Sequence, residues 1–190
     1  MELSGSDKKE LLRLARMSIG YALGECGRPK KPEGGSALNE QCGAFVTLHL
    51  HGDLRGCIGY IEGRFPLYET VEEVAQKAAF EDPRFSSLTA EEFQAVEIEI
   101  SVLSPLKKVR DINEIQVGAH GLVIDAGYTR GLLLPQVATE YGWGREEFLS
   151  HTARKAGLPA DAWKRKDVTL YLFSSDVFSE HQRQASTKQG

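Results

Sequence analysis

Apolar residues recur every three or four positions near the start of the chain, at Leu11, Leu12, Ala15, Ile19, Ala22 and Leu23. That period marks one face of an α-helix. It predicts a helix from Lys8 to about Leu23, with Asp7 as N-cap and Gly24 and Gly27 as its stop. The pattern lapses from Arg28 to Ser36, a long loop of Pro, Gly and Lys. Ala44–Leu50 and Leu54–Ile61 read as the two strands of a hairpin around a Gly52-Asp53 turn. That turn pairs Leu48 with Cys57 and Leu50 with Arg55, and places His49 and His51 on the opposite face. Leu67, Val71, Val74, Ala75, Ala78 and Ala79 predict a helix from Pro66 to about Phe80. Thr89, with Glu92 three residues on, is a capping box for a short helix.

Val96 to Leu103 alternates apolar and polar residues, as a half-buried strand does. Leu122–Asp125, Gly131–Leu134 and Val168–Phe173 predict three more strands, and Pro135–Tyr141 and Arg145–Ala156 two more helices. Hairpin strands with interspersed helices make an α+β fold, a mainly antiparallel sheet flanked by helices. One domain is expected to about residue 180, with a polar tail over 181–190 that reads as disordered.

Composition narrows the partners. The 190 residues are 41% hydrophobic and 26% charged, ordinary values for a chain that buries a core. The net charge of -4 gives no general attraction to nucleic acid or to an anionic membrane. Basic runs at Lys107-Lys108-Val109-Arg110 and Lys164-Arg165-Lys166 have no interleaved aromatic residues to stack on bases. Neither nucleic acid nor a membrane is therefore expected as a partner. Three cysteines, Cys26, Cys42 and Cys57, are an odd number without CxxC spacing. With no secretory signal they point to a reducing cytoplasm rather than a disulfide framework.

The candidate chemistry lies in Leu54-Arg55-Gly56-Cys57-Ile58-Gly59. Residues two apart on a strand share a face, roughly 7 Å apart, so Arg55 is expected beside Cys57. A nearby cation favours the reactive thiolate. Gly56 and Gly59 leave bare backbone that a ligand can approach. Cys57 thus reads as a nucleophile or acid/base, or else as a small hydrophobe in a core strand. A local His–Cys dyad is not expected unless the turn carries an odd residue. The base would otherwise come from Glu81, Asp82, His120 or His151. His49-x-His51 has no third ligand at a suggestive spacing, so no metal is expected. In Asp82-Pro83-Arg84-Phe85, Arg84 serves either the turn or an anion, whose planar groups suit guanidinium. Gln136 follows Pro135 at a strand-to-helix junction, where backbone N–H groups favour anions.

Five segments occur here in the order of one known family: Phe45-Val46-Thr47-Leu48, Leu54–Gly59, Asp82–Phe85, Ile100-Ser101-Val102-Leu103-Ser104-Pro105, and Gly131-Leu132-Leu133-Leu134-Pro135-Gln136-Val137-Ala138. From about Lys8 to Glu180 the chain resembles the AMMECR domain, named for the Alport syndrome, midface hypoplasia and elliptocytosis chromosomal region. The resemblance implies a main sheet, a smaller strand-rich subdomain with a cleft between them, and an active site on the Leu54–Gly59 strand. It also implies association with Memo-like proteins, which resemble metal dioxygenases, or with radical-SAM proteins. It implies no particular reaction. Many relatives carry cysteine where Ala153 stands, so two-cysteine chemistry does not carry over. Two functions are expected. One is a small cytoplasmic enzyme in which Cys57 acts on a small anionic or modified substrate, held by Arg55 and Arg84 and oriented by Gln136. The other is a non-catalytic module that binds a protein or peptide, with Cys57 as core packing. No cofactor is expected for either.

Overall fold

The computed structural model describes residues 3–32 and 36–180. The expected tail over 181–190 and residues 33–35 of the long loop lie outside the described residues. The chain divides into two compact units, one running to Val102 and resuming at Asp176, the other spanning Leu103–Ser175. The first contains α1 (Gly5–Ala22), β1 (Ala44–Leu50), β2 (Asp53–Tyr60), α2 (Leu67–Phe80), α3 (Ala90–Ala95) and β3 (Val96–Leu103). The second contains β4 (Lys107–Lys108), β5 (Gly121–Asp125), β6 (Arg130–Leu133), α4 (Pro135–Glu140), α5 (Arg145–Lys155) and β7 (Thr169–Phe173). The chain then returns to the first unit as β8 (Ser175–Ser179). Each unit holds one four-stranded sheet, in the orders β2-β1-β3-β8 and β4-β7-β5-β6. β1 runs antiparallel to both β2 and β3, and β7 antiparallel to both β4 and β5. The fold is α+β, as the patterning predicts. Among the described residues no helix is long and apolar enough to cross a membrane.

The first core lies where α1 and α2 meet one face of the first sheet. Leu11, Leu14 and Ile19 of α1 pack with Val71, Val74 and Ala78 of α2 over Val46, Leu48, Ile98 and Ile100. Helix α1 begins at Gly5, three residues before the expected start. Ser4 is the N-cap, and Asp7 is the third helical residue, closing a capping box whose carboxylate accepts the Ser4 N–H at 2.9 Å. The second unit has its own core, built from Leu122 and Ile124 of β5 with Phe148, Leu149 and Ala153 of α5. Ala153 is fully buried there.

The β1–β2 hairpin departs from the expected register. Its turn is His51-Gly52, with φ of 53° and 93°. Two positive φ values define a type I′ turn, which matches the twist of a hairpin. Leu50 therefore pairs with Asp53 and His49 with Leu54. Continued without a break, this register would set Cys57 opposite Val46, inside the core. A β-bulge intervenes: Leu48 pairs with Gly56, leaving Arg55 as the extra residue. Cys57 then falls opposite Thr47, on the face away from α2. The expected face assignment is thus reversed. Thr47, His49 and Cys57 share one face, and Leu48 and Leu50 do not belong to it.

Candidate functional site

Cys57 is held from two directions. Its sulfur accepts the Thr47 hydroxyl at 3.3 Å, and its backbone N–H donates to Asp82 Oδ2 at 2.9 Å. The Asp82 side chain is only 2% exposed. Its Oδ2 also accepts Arg84 Nη2 at 2.7 Å, while Oδ1 accepts Arg84 Nε at 3.0 Å and the Arg84 N–H at 3.1 Å. Both carboxylate oxygens are thereby used. The Arg84 bonds, and then the N–H groups of Cys57 and Arg84, hold the Asp82 carboxyl far below its ordinary range. Arg84 Nη2 also lies 3.5 Å from the Cys57 carbonyl oxygen. The two motifs singled out in the sequence, Leu54–Gly59 and Asp82–Phe85, thus meet around one buried carboxylate. The Arg84 side chain stays 54% exposed.

Burial pushes the Cys57 thiol up. The Thr47 hydroxyl and then the Arg84 cation work against this, and Asp82 and Glu99 add to it. The net direction is upward, so Cys57 rests as a thiol at neutral pH. The expected activation by Arg55 is absent. Arg55 donates through Nε (3.0 Å) and Nη2 (2.9 Å) to the two oxygens of Glu92, and more weakly to the Ser87 carbonyl at 3.4 Å. Glu92 also accepts the Thr89 N–H at 3.0 Å as part of the capping box. These two contacts, Arg55 first, bring the Glu92 carboxyl down to about 2. The bulge residue therefore fastens β2 to the start of α3, and the cation acting on the thiol is Arg84. The Phe85 ring centre lies 5.3 Å from the Arg84 guanidinium and 5.9 Å from that of Arg55.

The glycines of the signature are taken up by packing. A Cβ at Gly56 would sit 2.1 Å from the Ala78 carbonyl oxygen of α2. A Cβ at Gly59 would sit 2.3 Å from the Phe45 ring and 2.4 Å from the Ala44 carbonyl oxygen. On the Cβ side of each glycine the protein's own backbone and ring atoms occupy the space. Gln136 is the second residue of α4, in the second unit, where its carbonyl accepts the Thr139 hydroxyl at 2.7 Å. His120 and His151 belong to the same unit. His120 Nδ1 accepts the Gln116 N–H at 3.1 Å, and His151 stacks on Trp143 at 3.8 Å. Glu81 is exposed. Of the two expected bases in the first unit, Asp82 bonds to Cys57 and Glu81 does not, and the bonding of Asp82 makes it a brace.

The bulge supplies a histidine that the sequence register had turned away. His49 lies two residues along from Thr47 and diagonally across from Cys57, a separation of roughly 7–8 Å between Cα atoms. Both ring nitrogens of His49 are buried and without a hydrogen-bond partner among the described residues. Across the sheet, Glu97 stands opposite His49 and Glu99 opposite Thr47. The one sequence signal for this arrangement was Gly52, whose turn admits His51 as the other central residue. Among the described residues no group of three His, Cys, Asp or Glu side chains is placed to hold a metal ion.

Two antiparallel sheets with helices define an α+β protein. The family model for AMMECR1 matches residues 12–178, and the chain belongs to that family. It is 47% identical over 151 residues to Protein MJ0810 of Methanocaldococcus jannaschii, covering 75% of each. With a protein of Aquifex aeolicus it shares 42% over 185 residues, covering 92% of this chain and 93% of the relative. The crystal structure of uncharacterized protein PH0010 from Pyrococcus horikoshii superposes with a TM-score of 0.84 at 38% identity, covering 90% of each chain.

Proposed function

We propose that this protein is a small enzyme that works through the Cys57 thiol on a small anionic substrate gripped by Arg84. The observation that carries the reading is Asp82. Burying a carboxylate is costly unless every oxygen is paired. Here that cost is spent on fixing the backbone of one cysteine and the guanidinium of one half-exposed arginine. A guanidinium oriented in this way suits a carboxylate or phosphate on a substrate. Cys57 enters the reaction protonated. The sulfur adds to a carbonyl carbon of the substrate: the S–H bond breaks, the C=O π pair moves onto the oxygen, and the thiol proton is delivered to that oxygen by way of His49, whose unpartnered ring lies on the same sheet face. The cytoplasm, where three free thiols remain reduced, belongs to the same proposal. So does a Memo-like or radical-SAM protein as the partner that supplies or consumes the substrate.

A second reading, a binding module for a protein or peptide, is favoured by the raised thiol and by the full engagement of Arg55 with Glu92. One experiment separates them. Alkylation of Cys57 is followed by mass spectrometry across pH, with and without a panel of small carboxylates and phosphates. The enzyme reading expects one class of anion to protect Cys57, loss of that protection in Arg84→Ala, and a changed pH profile in His49→Asn. No protection by any anion, together with an unchanged profile in His49→Asn, would leave the binding module.

A further inference from the structure

A cavity of about 690 Å³ lies in the first unit, between the outward face of α2 and the segment that follows α1. It is separate from Cys57 and from the residues that hold it. Its helix wall carries Glu69, Glu72, Glu73 and Gln76, spaced three, four and seven residues from the first along one stripe of α2. The opposing wall carries Arg28 and Lys31. Phe65, 46% exposed, adds an apolar surface.

The helix wall and Lys31 are held before any ligand arrives. Gln76 donates to Ser18 Oγ at 2.9 Å, and Ser18 donates to the Glu72 carbonyl at 2.9 Å, tying α2 to α1. The Lys31 ammonium sits over the Tyr68 ring, 5.3 Å from its centre. Two of the three carboxylates are engaged: Glu69 accepts the Tyr68 hydroxyl and Glu73 the Tyr60 hydroxyl, each at 2.6 Å. Glu72 is different. Its carboxylate accepts no hydrogen bond among the described residues. It is half-buried, and the Arg28 charge only partly offsets the burial that pushes its carboxyl up.

These charges select their ligand. A simple anion would meet the carboxylates of α2, and a simple cation would meet Arg28 and Lys31. A molecule with an ammonium at one end and a carboxylate at the other satisfies both walls, leaving neither sign facing its like. The volume lies within the usual range for small-molecule sites, roughly 300–1,000 Å³. It exceeds what one amino acid fills and has room for a short peptide. We propose that this cavity binds a small zwitterion, a free α-amino acid or a peptide of two or three residues, with its ammonium on Glu72 and its carboxylate on Arg28 and Lys31.

The test is titration calorimetry of the full chain with leucine, Gly-Leu and Gly-Gly-Leu, and with N-acetyl and C-terminal amide forms of each. The zwitterions are expected to bind, and each singly charged form to bind at least about tenfold more weakly. Comparison of leucine with the peptides identifies the source. Glu72→Gln and Lys31→Ala should each weaken binding by about tenfold or more while thermal midpoints stay near the parent value. Equal binding of the amide or acetyl forms would overturn the proposal. So would unchanged affinity in Glu72→Gln, or no binding of any zwitterion at millimolar concentration. Cys57 labelling, run in parallel on the same variants, is expected to match the parent protein, so this proposal and the cysteine-enzyme reading fail separately.

Discussion

Thr47 donates its hydroxyl to the Cys57 sulfur across 3.3 Å, from the position directly opposite on the neighbouring strand. That pairing holds because Arg55 is absorbed as the extra residue of the bulge. Deleting Arg55 would remove the bulge and still leave Leu48 opposite Gly56 and Thr47 opposite Cys57. Replacing Arg55 by Ala keeps the bulge and removes the bonds to Glu92 and Ser87. Urea melts are expected to show a loss of about 1–3 kcal/mol for Arg55→Ala. Inserting one residue after Arg55 breaks the two-residue period of β2 and is expected to cost more than the substitution. Equal losses for the insertion and the substitution would show that the register of β2 is not fixed at this point.

Gly56→Ala brings its methyl group against backbone. The Ala78 carbonyl oxygen at 2.1 Å cannot rotate away as a side-chain tip would. A loss of about 3 kcal/mol or more is expected in a denaturant melt. Gly27→Ala is the control: nothing lies within 4 Å of its Cβ position. It should change stability by no more than about half a kcal/mol.

The order of thiol labelling follows exposure and burial. Cys26 is exposed, Cys42 is pushed up to about 11 by burial, and Cys57 is also pushed up. Limited alkylation of the resting protein should therefore modify Cys26 first, the reverse of what Arg55 beside Cys57 would give. The pH at half-maximal labelling of Cys57 should rise in Arg84→Ala, which removes the cation favouring its thiolate. It should not move in Arg55→Ala. A shift in the second variant alone would restore Arg55 to the site.

Acid should find the two carboxylates. Asp82 and Glu92 both titrate in the folded protein below their unfolded values, which are about 4. The unfolded chain then takes up protons first as pH falls. The stability they contribute is full above about pH 5 and drains as pH falls through 4 toward the folded values. For Glu92 the lower end of that window is about 2. Urea midpoints taken from pH 6 to pH 3 should fall less steeply in Glu92→Gln and Asp82→Asn than in the parent. Parallel slopes would place the acid-sensitive groups elsewhere.

The elements legible in the sequence were those whose pattern is long or whose cap is chemically explicit. Val96–Leu103 alternates over its whole length and is β3. Thr89 and Glu92 form the capping box that their spacing announces. Short polar strands escaped: Ser175-Asp176-Val177-Phe178-Ser179 has too little apolar alternation to declare itself as β8. The candidate site was legible in its segments and wrong in its geometry. Motif order brought Cys57 and Arg84 forward together. Their meeting through Asp82 is a tertiary contact across 25 residues, and no local pattern encodes it. The face of Cys57 failed for a physical reason: a period of two has no tolerance for one extra residue.

The return of the chain as β8 makes the polypeptide a host with a guest. β3 and β8 are neighbours in one sheet, yet the residues between Leu103 and Ser175 build a unit with a sheet and core of its own. At the neck of that excursion the Ser104 N–H donates to the Ser174 carbonyl at 2.9 Å, and the Ser174 N–H donates to Ser104 Oγ at 3.0 Å. The two ends of the guest are thereby stitched side by side, as close as the arms of a hairpin. A short turn grafted across this stitch would leave every strand neighbour of the host sheet in place. The seam is where the chain leaves one sheet to build the other and then comes back.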